Sequence, residues 1–282
     1  MQLSITTDYA RDTGNPEPYL RRIAEAGFSH IHWCHQWCTD FLYSQSEITQ
    51  IDSWLKSYQL QLLDLHGSVG QEKNWSSPRE YERLAGVELI QNRIEMTAQL
   101  GGDVVILHIP GDTPGDPLRK SLSDLEPFAR TRGVRIAIEN TGNFDAVQQV
   151  LQEYDPNYVG LCYDSGHGNV NGTGLLCLDA LKDRLISVHF HDNDGSGDQH
   201  NLLFSGTIDW ERLAQIISES SYAKCISMEV VMCNSGIEDE ADFLKRAFQT
   251  GTQCSNMIEA YRKGTEQPDG AVTQESARSA AP

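Results

Sequence analysis

Eight times along the chain, a short run rich in β-branched and aromatic residues gives way to a longer stretch with helical apolar spacing. The strand-like runs cover residues 2–6, 30–33, 61–66, 103–108, 135–139, 158–163, 185–191 and 225–230. The helical patterns cover residues 16–26, 47–58, 78–100, 118–132, 144–154, 175–181, 210–220 and 238–262. Such alternation leads to a parallel sheet clothed by helices, and eight units are what a closed (β/α)8 barrel requires. The 282-residue length agrees with that architecture, which takes about 250 residues. A doubly wound open sheet is the alternative, but no GxGxxG follows the first strand.

Boundary residues support the same division. Gly27, Gly101-Gly102 and Gly133 follow helical runs, where a left-handed residue closes a helix. Pro78 is expected just inside the third helix, where a missing N–H costs little. The runs at Val104–Leu107 and Ile136-Ala137-Ile138 are continuously apolar, as strands covered on both faces should be. Residues 1–263 therefore read as one barrel. Residues 264–282, poor in large apolar groups, read as a disordered tail.

The formal net charge of −18 works against binding to phosphate backbones and acidic membrane surfaces. No apolar run approaches the roughly 20 residues of a membrane span, and no secretory signal opens the chain. Seven scattered cysteines suit reduced thiols better than a disulfide framework, which with the missing signal points to the cytoplasm. Cys34 and Cys38 form a C-x3-C pair, but no second pair stands at zinc-finger spacing.

The chemistry gathers where strands end. Strand three ends in His66, strand four in His108, strand five in Glu139-Asn140 and strand six in Asp164-Ser165-Gly166-His167. Strand seven ends in His189-Phe190-His191-Asp192 and strand eight in Met228-Glu229. This is the face on which barrel enzymes build active sites. A single histidine there would usually be structural, whereas six consecutive strands ending this way need a common cause. Carboxylates in apolar surroundings need a cation, and imidazole with carboxylate suits Zn2+, Mn2+, Fe2+ or Co2+. His189 and His191 share one side of their strand. His191, nearer the rim, is the expected ligand and His189 a supporting residue.

These motifs, with Phe204-Ser205-Gly206-Thr207-Ile208-Asp209-Trp210, resemble the xylose-isomerase-like TIM barrels over roughly residues 1–262. That family includes sugar-phosphate isomerases and epimerases together with endonuclease IV. Ser205 departs from it, standing where proline is usual. For the epimerases, the resemblance implies one Mn2+, Zn2+, Co2+ or Mg2+ ion held by Glu139, Asp164, His191 and Glu229. It also implies Glu139 and Glu229 as an acid/base pair and His167 as a catalytic, substrate-contacting residue. For the endonuclease branch, it implies a multinuclear zinc site that adds His66, His108, His167, Asp198 and His200.

Trp33 and His35, with Trp37, follow strand two, where family members contact substrate. Rim packing is an equally good reading of these aromatics. Lys73 and Trp75 suggest a lid, against a plain solvated loop. Arg119 and Lys120 could meet a phosphate, although charge at a helix start is commoner. The leading expectation is a divalent-metal-dependent isomerase or epimerase of a sugar, polyol or related keto compound. A multinuclear zinc phosphodiesterase is second, and a binding protein on a retained barrel is third. The expected partner is a small molecule, with nucleic acid disfavoured by charge and self-association left open.

Overall fold

In the computed structural model, which describes residues 1–10, 14–67, 70–110, 114–142 and 144–265, all eight expected strands form. They alternate with helices in the order β1 (Ser4–Thr6), α1 (Glu17–Glu25), β2 (His30–Trp33), α2 (Gln45–Tyr58), β3 (Gln61–His66), α3 (Glu80–Gln99), β4 (Val104–Leu107) and α4 (Asp116–Arg132). The second half continues with β5 (Arg135–Glu139), α5 (Phe144–Glu153), β6 (Val159–Asp164), α6 (Ser165–Val170), α7 (Gly174–Leu181), β7 (Leu185–His189), α8 (Trp210–Glu219), β8 (Ser227–Met228) and α9 (Glu240–Thr265).

Every pairing within the sheet is parallel, in the order β7-β6-β5-β4-β3-β2-β1-β8. One parallel bridge, Phe190 to Met228, brings β7 to β8 and closes the cylinder. The chain is thus a single (β/α)8 barrel. Burial on both strand faces explains the continuous apolar runs. Val105, Leu107, Ile136 and Ile138 join the large core shared with the helices. Val104, Ile106, Ala137, Cys162 and Ile186 form a separate small cluster inside the cylinder.

The helix-ending glycines do what their positions imply. Gly27, Gly101 and Gly133 have φ of 98°, 80° and 66°, a region that L side chains avoid.

Several boundaries differ from expectation. α3 starts at Glu80, leaving Pro78 outside, because Ser77 Oγ accepts from Arg79 N at 3.1 Å and sets the turn before the helix. β8 is shorter than residues 225–230, although its ladder continues at both ends. Ser4 N donates to Ile226 O at 3.0 Å and Glu229 N to Phe190 O at 3.1 Å. Helix α6 was not expected, and Asp164 caps it by accepting from His167 N at 2.6 Å. Gly264 and Thr265 extend α9 instead of opening the tail, and the remaining tail residues, 266–282, lie outside the described residues. No helix among the described residues is long and apolar enough to cross a membrane.

Candidate metal centre at the barrel rim

Strand alternation decides which side chains enter the cylinder. Counting by twos places His32 and Cys34 inward from β2, Asp64 and His66 from β3, and Glu139 from β5. Asp164 enters from β6, His189 and His191 from β7 and its extension, and Glu229 after β8. His32, Asp64, His66, Glu139, Asp164, His189, His191 and Glu229 are all buried.

Glu139 is the hub. Its Oε2 lies 3.6 Å from His66 Nε2, 3.2 Å from His108 Nε2 and 3.3 Å from His189 Nδ1, and its Oε1 lies 3.4 Å from His167 Nδ1. Glu229 Oε2 meets the same His189 nitrogen at 3.3 Å, so the two glutamates converge on one imidazole from β5 and β8. His191 Nε2 stands 3.0 Å from Asp164 Oδ2 and 3.6 Å from Asp198 Oδ1. Asp198 Oδ2 lies 3.3 Å from His167 Nε2 and 3.0 Å from His200 Nε2. The structure therefore brings together all nine residues of the extended set.

Local structure fixes these donors. Asn140 ties the β5 and β6 ends together, accepting from Asp164 N at 2.7 Å and donating to Asp164 O at 2.9 Å. His200 sits in the left-handed region at φ 49°, with its Nδ1 held 2.6 Å from Glu229 O. That contact leaves Nε2 pointing at Asp198. Gly166 lets His191 approach, since a Cβ there would fall 1.9 Å from His191 Cε1.

The electrostatics are those of a cage built for positive charge. Burial alone would raise the Glu139 carboxyl, but the imidazoles of His189 and His108 hold it well below the usual carboxylate range. Burial likewise opposes ionisation of Glu229, and His189 and His200 overturn it. Desolvation lowers His167, yet Asp164, Asp198 and Glu139 push it up to about 12. His200 is raised against its own burial to about 10, chiefly by Asp198. Among the described residues, Asp64, Glu139, Asp164 and Glu229 have no Lys or Arg within ion-pair reach, and the basic side chains that do face them are all histidines.

The donor set fits a divalent metal. His189 Nδ1 and Nε2, His191 Nδ1 and His167 Nδ1 are buried without a hydrogen-bond partner, an expensive condition unless something else satisfies them. His66, His108 and Glu139 present ligand atoms within 4.8 Å of one another, as do His191, Asp198 and His200.

Other sequence candidates fall elsewhere. Trp33 points outward into the core, 1% exposed, donating to Tyr43 Oη at 3.0 Å. Alternation from the inward His32 requires this, so Trp33 does not reach the rim as a substrate contact. Trp37 takes the rim place instead, with its ring 4.7 Å from His66 and 5.6 Å from His108. His35 lines a cavity of about 490 Å³ shared with Trp37, Asp198 and His200. Trp75 is buried in the core and cannot serve as a lid. Arg119 and Lys120 pair with Glu153 and Glu80 on the surface. The C-x3-C pair separates, Cys34 buried and Cys38 exposed.

Sequence reasoning missed His32, Asp64 and Ser187, which lie one layer below the rim. Asp64 Oδ1 is 2.7 Å from His32 Nδ1, and Ser187 Oγ donates to Asp64 Oδ2 across the barrel. The available signal was a lone carboxylate inside the apolar run Leu62-Leu63-Asp64-Leu65, which has to find a partner.

Comparison with known proteins gives the same architecture. The L-ribulose 3-epimerase structure superposes with a TM-score of 0.74 at 16% identity, over 94% of this chain and 96% of that one. A D-tagatose 3-epimerase-like protein gives 0.73 at 21% identity, over 94% and 100%. Among curated relatives, the uncharacterised protein y4fM of Sinorhizobium fredii is 31% identical over 279 residues, 86% of this chain and 89% of its own length. The uncharacterised protein MJ1311 of Methanocaldococcus jannaschii is 28% identical over 187 residues, 59% of this chain and 62% of its own length. The family model for the xylose isomerase-like TIM barrel matches residues 20–247. By the extent of that match, the chain belongs to the xylose isomerase-like TIM barrel family.

Proposed function

We propose that this protein is a divalent-metal-dependent epimerase or isomerase that moves a proton next to the carbonyl of a sugar, polyol-derived or related keto compound. The observation that carries the reading is the convergence of Glu139 and Glu229 on His189 Nδ1, 3.3 Å from each, at the mouth of the barrel. Solved structures of the same fold that are named as sugar 3-epimerases support it.

Glu139, Asp164, His191 and Glu229 would hold the ion. A bound divalent cation there would acidify the C–H beside a carbonyl and stabilise the charge that develops when the proton leaves. Glu139 and Glu229 are held ionised by their imidazole neighbours, so each is a base at neutral pH. Placed on different strands, one can take the proton from one face of a substrate while the other serves the opposite face. His167, its side chain 15% exposed beside Asp164 and Glu139, is placed to donate to a substrate hydroxyl. Trp37 packs its ring against those of His66 and His108.

A second reading, a multinuclear zinc phosphodiesterase, is favoured by one observation. The flanking groups His66/His108/Glu139 and His167/Asp198/His200 are both assembled, more donors than one ion needs. The −18 charge weighs against a polyanionic duplex as substrate.

Incubation of the metal-loaded protein with a ketose panel in D2O, read by NMR, separates the two. Deuterium next to the carbonyl, lost in Glu139→Gln and in Glu229→Gln, is the expected result. Zinc-dependent cleavage of abasic DNA without exchange on any ketose would replace the epimerase reading with the phosphodiesterase one.

A further inference from the structure

Beneath the rim lie two donors, His32 and Cys34, that the proposed reaction does not use. His32 Nε2 is 3.3 Å from Cys34 Sγ and 3.9 Å from Glu229 Oε1, and Cys34 Sγ is 3.7 Å from the same Glu229 oxygen. The geometry points to a second, sulfur-containing metal position, with His32 Nε2, Cys34 Sγ and Glu229 Oε1 as a tripod for a zinc-class divalent cation. It rests on the reading of the rim as a metal centre only in sharing Glu229, whose two oxygens face different neighbours.

Four observations converge on this site. With metal–nitrogen and metal–oxygen distances near 2.0–2.2 Å and metal–sulfur near 2.3 Å, tetrahedral donors stand roughly 3.3–3.6 Å apart. Of the three separations observed, 3.3 Å lies at the lower end of that range, and 3.7 and 3.9 Å exceed it by about 0.1 and 0.3 Å. His32 carries the outer partner that metal-binding histidines use, since Asp64 Oδ1 engages its Nδ1 at 2.7 Å and turns Nε2 toward Cys34. Asp64 is in turn fixed by Ser187 Oγ, and Cys34 N by Thr7 Oγ1 at 3.0 Å. His189, whose ring nitrogens lack hydrogen-bond partners, stacks edge-on against His32 with ring centres 4.3 Å apart.

The site has an entrance. Cys34 lines the cavity of about 490 Å³ that also reaches Asp8 and His200, and a water from that side would complete the coordination. One nitrogen, one thiolate and one carboxylate favour zinc or cobalt over magnesium or calcium. On binding, the Cys34 S–H bond breaks, the sulfur–metal bond forms, and the proton passes to buffer. The ion would fix Glu229 from below and leave its other oxygen for the rim.

The test uses the full chain, stripped by chelation and reloaded with Co2+ alone. Wild type should show a near-ultraviolet sulfur-to-cobalt charge-transfer band. Cys34→Ser should lose the band and one cobalt per chain, and His167→Ala at the rim should keep the band. Cobalt bound by wild type without the band would refute the sulfur site and leave the rim centre standing. A band that survives in Cys34→Ser would equally refute it, and no cobalt uptake at all would overturn both sites. Should Cys34→Ser fail to fold, zinc-edge X-ray absorption of wild type decides. A sulfur neighbour at about 2.3 Å supports the proposal, and an all-nitrogen/oxygen shell overturns it.

Discussion

On the β4–β6 side of the barrel interior, Val104, Ile106, Ala137 and Cys162 pack against one another as a small apolar plug. At comparable depth around the remaining strands stand Ser4, His32, Asp64, Ser187, His189 and Ser227, all of them buried. The apolar side is held by area removed from water and by close packing, which need no particular partner. The polar side holds only while its hydrogen bonds are complete, because each unpaired buried group costs about 1–3 kcal/mol. The Ser187–Asp64–His32 chain and the Ser227–Ser4 contact at 3.2 Å are that completion, and His189, whose ring nitrogens lack such partners, is the member left for the site to satisfy. A barrel that needed only stability would be apolar all round. The polar half reaches Glu139 and Glu229 through His189, 3.3 Å from each, so its chemistry is directed at the site.

The largest effect separating the halves should come from Asp64→Asn. Each hydrogen bond to a buried charged group is worth about 1.5–3 kcal/mol, so disrupting those that Asp64 makes with His32 and Ser187 should cost about 3–5 kcal/mol in a melt or urea titration. Burial raises the Asp64 carboxyl, but its hydrogen bond and charge pairing with His32 win and hold it below the ordinary value. Its contribution is therefore present above about pH 4 and fades as pH falls through the folded-state value. The gap between wild type and variant should close in acid. A loss under 1 kcal/mol at pH 7 would show that the polar half does not depend on its network.

Ile106→Ala probes the other half. The lost packing should cost about 2–5 kcal/mol, while elemental analysis finds wild-type metal content and chelation lowers the melting temperature as it does in wild type. Loss of metal in this variant would mean that the two halves are not independent. The smallest effect is expected for Ser187→Ala, about 1 kcal/mol for one hydrogen bond, since Asp64 keeps His32. A cost equal to that of Asp64→Asn would make the serine an equal member of the network.

The rim was legible in the sequence because strand ends are marked twice, by the end of the apolar run and by the polar residue that follows. His66, His108, Glu139, Asp164 and Glu229 stand at such ends. The inner layer was not legible in the same way. In strands buried on both faces, hydropathy does not say which face is inside, so the pattern passes over His32 beside Trp33, and the structure sends the first inward and the second into the core. Asp198 and His200 lie on a loop, and the family resemblance alone singled them out. Helix α6 left a local mark, an aspartate three residues ahead of the N–H it caps, but six residues are too few to show a period.

The closure of the cylinder by one bridge, Phe190 to Met228, has a mechanical consequence. His189 and His191 lie on one side of that seam and Glu229 on the other. If the barrel unzips, the seam is where least has to be broken, and parting it pulls the donor set in two. An ion gripped from both lips would act as a rivet, so that keeping the cylinder shut and keeping the site loaded become one event. The weakest line of the fold is also the line across which its chemistry is strung.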